Sequence, residues 1–413
     1  MSSLLETYAQ VAGEDVVNQL RQLAGLLKGR RVVHVNSTRE GGGVAEILTK
    51  LVPLMEELGI DTSWEIITGS EDFYRCTKSF HNALQGSRID VADSLLEVYE
   101  ETNRRTADEL AEVLRDADIV FIHDPQPAPL LANMPQRKGK WIWRCHIDLS
   151  QPHRSVWKYL RRFVEDYDAS IFSLSSFAQE LPHPQYLIPP SIDPLSDKNV
   201  DLEPSEIEAV YSLFGLDPKR FLALQVSRFD VFKDPVGVVQ AFKIAKKYVP
   251  ELQIVLAGGK ATDDPEGEAV RQQVEEFSKD IPDIHILELP SDAHRIINAL
   301  QRAADVILQK STREGFGLTV TEALWKGKPV IGGSTGGIRL QVVNNHTGFL
   351  VHSPEGAALR LRYLLERPAM MKEMGNKAVE FVRENFLLTR QLREYLTVMV
   401  ALINDAGNRI HPG

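Results

Sequence analysis

The chain has 413 residues, of which 43% are hydrophobic and 25% charged, with 27 glycines and 22 prolines. That length argues for two or three domains, and the ordinary glycine and proline content sets aside collagen and wholesale disorder. Lys plus Arg number 47 against 57 Asp plus Glu, a net charge of -10. A general nucleic-acid or anionic-membrane binder needs a positive field and is set aside too, whereas a local cationic pocket for a phosphorylated ligand is not.

Cys76 and Cys145 stand far apart and form no CxxC pair, so no disulfide framework or cysteine zinc site is expected and a reducing cytoplasm is the simplest compartment. The N-terminal MSSLLETYAQVAGEDVV lacks a basic segment ahead of an apolar run, so no signal peptide is expected. No stretch approaches the roughly 18 apolar residues of a membrane span. The histidines show no HExxH spacing and no protein-bound metal is expected. There is no GxSxG elbow.

In chain order, apolar β-rich runs alternate with helical patterns. The first set is RRVVHVNS (30–37), SWEIITG (63–69), DIVFIHD (118–124), WIWRCHID (141–148), SIFSLS (170–175) and QYLIPPS (185–191). The second is FLALQVSR (221–228), LQIVLAGG (252–259), DIHILEL (283–289), DVILQKS (305–311), KPVIGGS (328–334) and GFLVH (348–352). Most are near-continuous in Val, Ile and Leu, the mark of parallel strands covered on both faces. Between them, segments such as 44–59 and 235–250 repeat apolar residues at helical spacing. The alternation predicts doubly wound α/β sheets. The stretch 188–206 holds four prolines and no period, which reads as a linker between one domain over 1–190 and another over 195–385. A last helical stretch, 387–407, can cross back to the first domain. Ligands of such sheets bind beyond the carboxyl ends of the strands, so a cleft between the two domains is the expected site.

Four groups of residues follow those ends. NSTREGGGVAEIL (36–48) runs from a strand through three glycines into a helix, offering backbone N–H groups to an anion, although a tight turn explains it equally well. QVSRFDVFKDP (225–235) places Arg228 and Lys233 beyond a strand, as a diphosphate site would, or as two solvated surface charges. STREGFGLTVTEAL (311–324) puts Glu314 at a strand end before a Gly-Phe-Gly loop, with Glu322 on the first turns of the next helix. Carboxylates there can accept hydrogen bonds from sugar or ribose hydroxyls, or Glu322 can simply favour a helix N-terminus. Polar clusters at 80–86, 123–127 and 143–148 follow the strands of the first domain and suit a carbohydrate.

These residues resemble a known group. EGFGLTVTEAL carries the Glu-x7-Glu signature of the family-four retaining glycosyltransferases, SRFDVFKD resembles their Arg–Lys diphosphate motif, and GGIRLQVVNNHTGFLV their glycine-rich stretch. More narrowly, HVNSTREGGGVAEIL, TKSFHNALQG, VFIHDPQPAPLL, WRCHIDLSQP and PPSIDPLSDKN are similar to the trehalose glycosyltransferring synthases. Leu340 departs from the broader pattern, where many members carry a glutamate, and is given no ligand role.

The resemblance covers nearly the whole chain and implies the GT-B fold, two Rossmann-like domains facing across a deep cleft. It implies a reversible, retaining transfer of glucose from a nucleoside-diphosphate glucose to free glucose, making α,α-trehalose, with no permanent cofactor and with Mg2+ able to accompany the nucleotide. Arg228 and Lys233 would hold the diphosphate, helped by the Gly43 N–H. Glu322 would bind the ribose, and Leu287 and Glu288 would meet the base, left open between adenine and uracil. Glu314 would contact the donor glucose at O3, His146 would reach it near O6, and Phe316, Gly317 and Leu318 would offer N–H groups. His81, Asn82, Gln85, Asp124, Gln126 and Asp148 would form the acceptor pocket. The implied partners are these small molecules, not nucleic acid or membrane, with a homodimer allowed. The rival readings are a retaining trehalose phosphorylase using glucose 1-phosphate and a non-catalytic nucleotide-sugar sensor. A dehydrogenase lacks its GxGxxG.

Overall fold

The computed structural model describes residues 3–40, 43–259 and 265–405. Its contacts divide the chain into two units, residues 1–191 together with the stretch from Leu388 onward, and residues 192–387. Both are α/β, each built on a six-stranded sheet with all described pairings parallel.

In the first unit the strands are β1 (Arg31–Asn36), β2 (Asp61–Ile66), β3 (Ile119–His123), β4 (Lys140–Arg144), β5 (Ala169–Phe172) and β6 (Gln185–Leu187), in the order β2-β1-β3-β4-β5-β6. The chain steps from β1 outward to β2 and returns to β3 on the other side, so the switch point lies between β1 and β3. Val33, Val35, Val120, Ile122, Trp141 and Trp143 turn to one face, where Phe73, Phe80, Tyr99, Leu160 and Val164 cover them. The opposite face carries Phe121, stacked at 5.1 Å on Tyr395 of the helix Leu388–Ile403. Strands buried on both sides need no alternation, which is why these runs read as continuous.

The last helix spans Leu388–Ile403 against the 387–407 expected, and residues 406 and 407 lie outside the described residues. Ser191 Oγ donates to Gln391 Oε1 at 2.6 Å, and Arg390 donates to the Pro189 and Pro190 carbonyls at 2.9 and 3.1 Å. The proline pair has no N–H to offer a ladder, and the arginine satisfies its carbonyl oxygens.

In the second unit the strands are β7 (Leu222–Val226), β8 (Gln253–Gly259), β9 (Ile284–Leu289), β10 (Val306–Gln309), β11 (Val330–Gly333) and β12 (Gly348–Val351), in the order β12-β11-β10-β7-β8-β9. Its switch point falls between β7 and β10. Leu308, Ile254, Phe349, Phe242 and Leu361 anchor its core. All twelve expected runs contain strands. Their ends retreat where the ladder stops: β10 closes at Gln309, so Glu314 stands in the loop beyond and not at a strand end.

Of the stretch 188–206, read as a linker, the part at 197–200 is pinned within the second unit. Asn298 Nδ2 donates to the Asp197 and Val200 carbonyls, both at 2.9 Å, and Arg302 donates to those of Asn199 and Val200 at 3.2 and 2.9 Å. Side chains of distant residues satisfy its backbone, so it shows no period of its own.

Candidate active site

At the switch point of the second sheet two loops meet. After β7 the chain passes through Arg228 to a single turn, Val231–Lys233, capped by Asp230, whose carboxylate accepts from the Phe232 N–H at 2.7 Å. The turn ends at Asp234 in the left-handed region (φ 50°), which caps the helix Pro235–Lys246 and ion-pairs with Lys310. This geometry separates the two predicted cations. Arg228 points outward, its side chain 68% exposed and 3.4 Å from Asp230. Lys233 turns inward and sits 2.6 Å from Glu314 Oε2, the two side chains 18% and 9% exposed. Ser311 Oγ donates to the same carboxylate oxygen at 3.2 Å.

The loop bearing Glu314 is held from behind. Gly317, in the left-handed region at φ 84°, starts the helix Leu318–Trp325. Gly337 N–H donates to the Gly315 carbonyl at 3.1 Å, and a Cβ on Gly336 (φ 43°) would press into the Glu314 carbonyl oxygen. Fully buried Gln341 donates to the Phe316 carbonyl at 2.6 Å and to Gly337 at 3.2 Å, and accepts from Thr321 Oγ1 at 2.6 Å. The glycine-rich stretch thus fixes the Gly-Phe-Gly loop. Nothing in the sequence points to Gln341's part beyond a glutamine among mostly apolar neighbours. Leu340 beside it is partly exposed.

Glu322 is buried within its helix. One turn on, Lys326 Nζ donates to the Glu322 carbonyl and to Asn199 Oδ1, both at 3.1 Å. Burial lowers the Lys326 ammonium from its ordinary value, and the Glu322 carboxylate opposes that. Leu287 and Glu288 lie near the carboxyl end of edge strand β9, opposite Ala257 and Gly258 of β8. A cavity of about 240 Å³ opens beyond β10, β11 and β12, lined by Lys310, Ser311, Ser334, Thr335 and His352 among others. Sequence reasoning missed it, although each of these three strands runs into hydroxyl or imidazole residues.

The first sheet's carboxyl end is built differently. β3 ends at His123, and Asp124 follows in the left-handed region (φ 63°), which aspartate tolerates better than most residues. Its Oδ1 accepts from the His146 N–H at 2.7 Å, and its carbonyl accepts from Trp143 Nε1 at 3.0 Å. Burial pushes the Asp124 carboxyl up to about 6, against the pull of the His146 N–H and the Arg144 guanidinium. Arg144, fully buried, points its terminal N–H groups mainly at carbonyls, the shortest that of Ile188 at 2.8 Å, while its Nε has no partner among the described residues.

The remaining first-unit candidates stand in loops and at one helix end of the same unit. Asn103 Nδ2 donates to the Gln126 carbonyl at 3.1 Å, and Asp148 Oδ1 accepts from Ser150 N–H at 2.8 Å. His81 and Asn82 belong to the last turns of the helix Glu71–Leu84 and Gln85 caps it, so this cluster follows a helix and not a strand. Phe73, Cys76, Phe80, Ala83 and Leu84 set that helix by burying one face. His81 Nε2 and Gln85 Nε2 are 2.6 Å apart, and the His153 N–H donates to the Ala83 carbonyl at 2.8 Å, tying the helix end to the loop of Asp148.

Gly43 opens the helix Gly43–Glu57 after β1, while Gly41 and Gly42 lie outside the described residues. Among the described residues no group of three His, Cys, Asp or Glu is placed to hold a metal ion, and no helix is long and apolar enough to cross a membrane.

Residues 34–179 match the family model of the trehalose synthase N-terminal domain, and residues 213–381 that of glycosyl transferases group 1. The trehalose synthase of Pyrococcus horikoshii is 46% identical over 407 residues, 96% of each chain. That of Rubrobacter xylanophilus is 44% identical over 406 residues, 97% of each. The solved structure of a UDP-forming α,α-trehalose-phosphate synthase from Burkholderia xenovorans is similar in fold, with a TM-score of 0.72 at 17% identity over 91% of this chain and 99% of that one.

Proposed function

This chain belongs to the trehalose synthase family of group 1 glycosyl transferases, with their GT-B fold, and from that premise we propose that it joins the glucose of a nucleoside-diphosphate glucose to the anomeric hydroxyl of free glucose, making α,α-trehalose with retention. One observation carries the reading: a lysine and a glutamate from the loops that follow the two strands flanking the second switch point face each other at 2.6 Å, with Arg228 on the same loop as the lysine.

In this reading the diphosphate takes Lys233 and Arg228 as its counter-charges, and Glu314 is released to the donor glucose at O3. The Phe316, Gly317 and Leu318 N–H groups meet sugar oxygens, Glu322 takes the ribose hydroxyls, and Leu287 and Glu288 border the base. The Gly43 N–H adds a further donor to the phosphates. His146 meets the donor near O6, and His81, Asn82, Gln85, Asp124, Gln126 and Asp148 recognise the acceptor. The chain presents these groups for positioning and charge stabilisation. Negative charge grows on the departing phosphate, two cations stabilise it most when it has left, and that same oxygen takes the acceptor's proton on the face where the new bond forms. No side chain has to form a covalent intermediate. Bonds of similar kind are broken and made, so the transfer runs in both directions.

The test is cleavage of trehalose by the purified protein, with ADP or UDP in one set of vessels and inorganic phosphate in another. A nucleoside-diphosphate glucose forming only in the first set supports the reading. Glucose 1-phosphate forming in the second, with nothing in the first, makes the protein a phosphorylase instead.

A further inference from the structure

Three imidazoles form a hydrogen-bonded row across the switch point of the first sheet. His34 on β1 places Nδ1 3.1 Å from Nε2 of His123 on β3, and His123 places Nδ1 3.1 Å from Nε2 of His146, just past β4. Successive ring centroids are 5.4 Å apart. His34 and His123 are buried, and Phe121 stacks on His34 at 4.7 Å. At the inner end His34 Nε2 is buried and has no hydrogen-bond partner among the described residues.

The charged groups facing the row are Arg144 and Asp124. Burial pushes His34 down to about 3 and holds His123 and His146 well below the ordinary histidine value, and the Arg144 guanidinium adds to the effect on the latter two. Asp124 engages the backbone N–H of His146 and not its ring. Each ring is therefore neutral and carries one N–H.

Three N–H groups and two shared bonds leave two arrangements. In one, donors run outward: His34 Nδ1–H to His123, His123 Nδ1–H to His146, and His146 presents Nδ1–H. Only a lone pair is then unmet at the inner end. In the other, donors run inward and His34 Nε2–H is buried against no acceptor. Orphaned buried N–H groups are rarer in proteins than under-satisfied acceptors, which selects the outward order.

We infer that His34 and His123 are positioning residues that lock His146 in the Nδ1–H tautomer, so that its outer ring nitrogen offers a hydrogen-bond donor to the sugar it meets. The inference rests on the proposed function for what His146 touches, but not for the tautomer itself. A solitary neutral histidine exchanges tautomers freely, whereas here all three protons must move together and end on a buried N–H without a partner. The row is not read as a proton path, because among the described residues its inner nitrogen, His34 Nε2, has no hydrogen-bond partner to exchange a proton with.

Long-range proton–nitrogen NMR of the full chain labelled with 15N-histidine reads the tautomer directly. Among the 11 histidines, the signals of His146 and His123 are assigned through His146→Gln and His123→Phe. The expected result is protonation of His146 at Nδ1 with a lone pair at Nε2. His123→Phe keeps a ring beside Phe121 but removes the partner of His146 Nε2; it should turn His146 into a tautomer mixture and lower kcat/KM for the donor by roughly two- to tenfold, the worth of one hydrogen bond. His146 protonated at Nε2 in the wild type overturns the inference, and so does an unchanged His146 signal in folded His123→Phe. If that variant does not fold, the wild-type spectrum decides alone. A protein that makes no trehalose yet shows the Nδ1–H signal refutes the proposed function and leaves the lock standing.

Discussion

The carboxyl ends of the two sheets solve different electrostatic problems. In the second unit, charges arrive as opposed pairs, Lys233 with Glu314 and Lys310 with Asp234, straddling the β7–β10 switch point. In the first unit the polar groups around β1, β3 and β4 are imidazoles kept neutral by burial, a carboxyl raised to about 6, and an arginine spent on carbonyls. On the proposed reading a diphosphate brings its own charge, and ion-paired Lys233 is a cation already held in place for it. An uncharged sugar brings hydroxyls, which need donors and acceptors of fixed direction. The difference teaches that charge pairing and charge suppression are two ways of keeping a polar site stable before its ligand comes.

The sharpest break of this comparison is at the cations. Arg228→Ala should lower kcat by about 100- to 1000-fold, with stability within about 0.5 kcal/mol of wild type because the side chain is exposed. Lys233→Ala should lose turnover similarly and also strand a buried carboxylate, costing roughly 2–3 kcal/mol, below the value for a fully buried pair because Lys233 is partly exposed. Adding Glu314→Gln should recover the melting temperature and not the rate. Steady-state kinetics and thermal melts of the three variants separate these effects; a stable Lys233→Ala would mean the pair is not what holds the loops.

Gly336→Ala comes next. Its Cβ would meet the Glu314 carbonyl at a left-handed backbone, which should cost about 1–3 kcal/mol and weaken nucleoside-diphosphate binding in calorimetry. Unchanged affinity would detach the glycine stretch from the Glu314 loop.

Asp124→Asn tests charge suppression. The Asp124 carboxyl titrates near 6 when folded against about 3.9 for an unperturbed aspartate, so the folded state holds the extra proton between these values. Wild-type stability should therefore fall as pH rises from about 4 to about 6, and level off above. The asparagine, which tolerates the left-handed backbone, should match wild type below that window and exceed it above. Chemical denaturation across pH reads the difference, and a constant gap contradicts it. The smallest effect belongs to Gln126→Ala: KM for glucose should rise roughly two- to tenfold with KM for the donor unchanged. A change in donor KM alone moves the acceptor pocket elsewhere.

The strands were legible because double-sided burial writes continuous apolar runs, and so was the two-sheet architecture. The cation and carboxylate motifs were legible as residues but not as partners: nothing in the spacing of Lys233 and Glu314 says that the lysine turns in while Arg228 turns out. His81 looked like a strand-end residue because a polar cluster hides the helical period ahead of it. His34 and Gln341 escaped because each sits singly among mostly apolar neighbours, and His123 was read only as one member of a polar cluster; the pairing of distant strands and loops gives all three their partners.

The measurement that bears most directly on the whole account is carbon-13 NMR of the product made from a nucleoside-diphosphate [1-13C]glucose and unlabelled free glucose. The account predicts label at one anomeric carbon of a 1,1-linked disaccharide in the α configuration. A β-configured linkage, or release of labelled glucose with no disaccharide from any nucleotide donor, would contradict it.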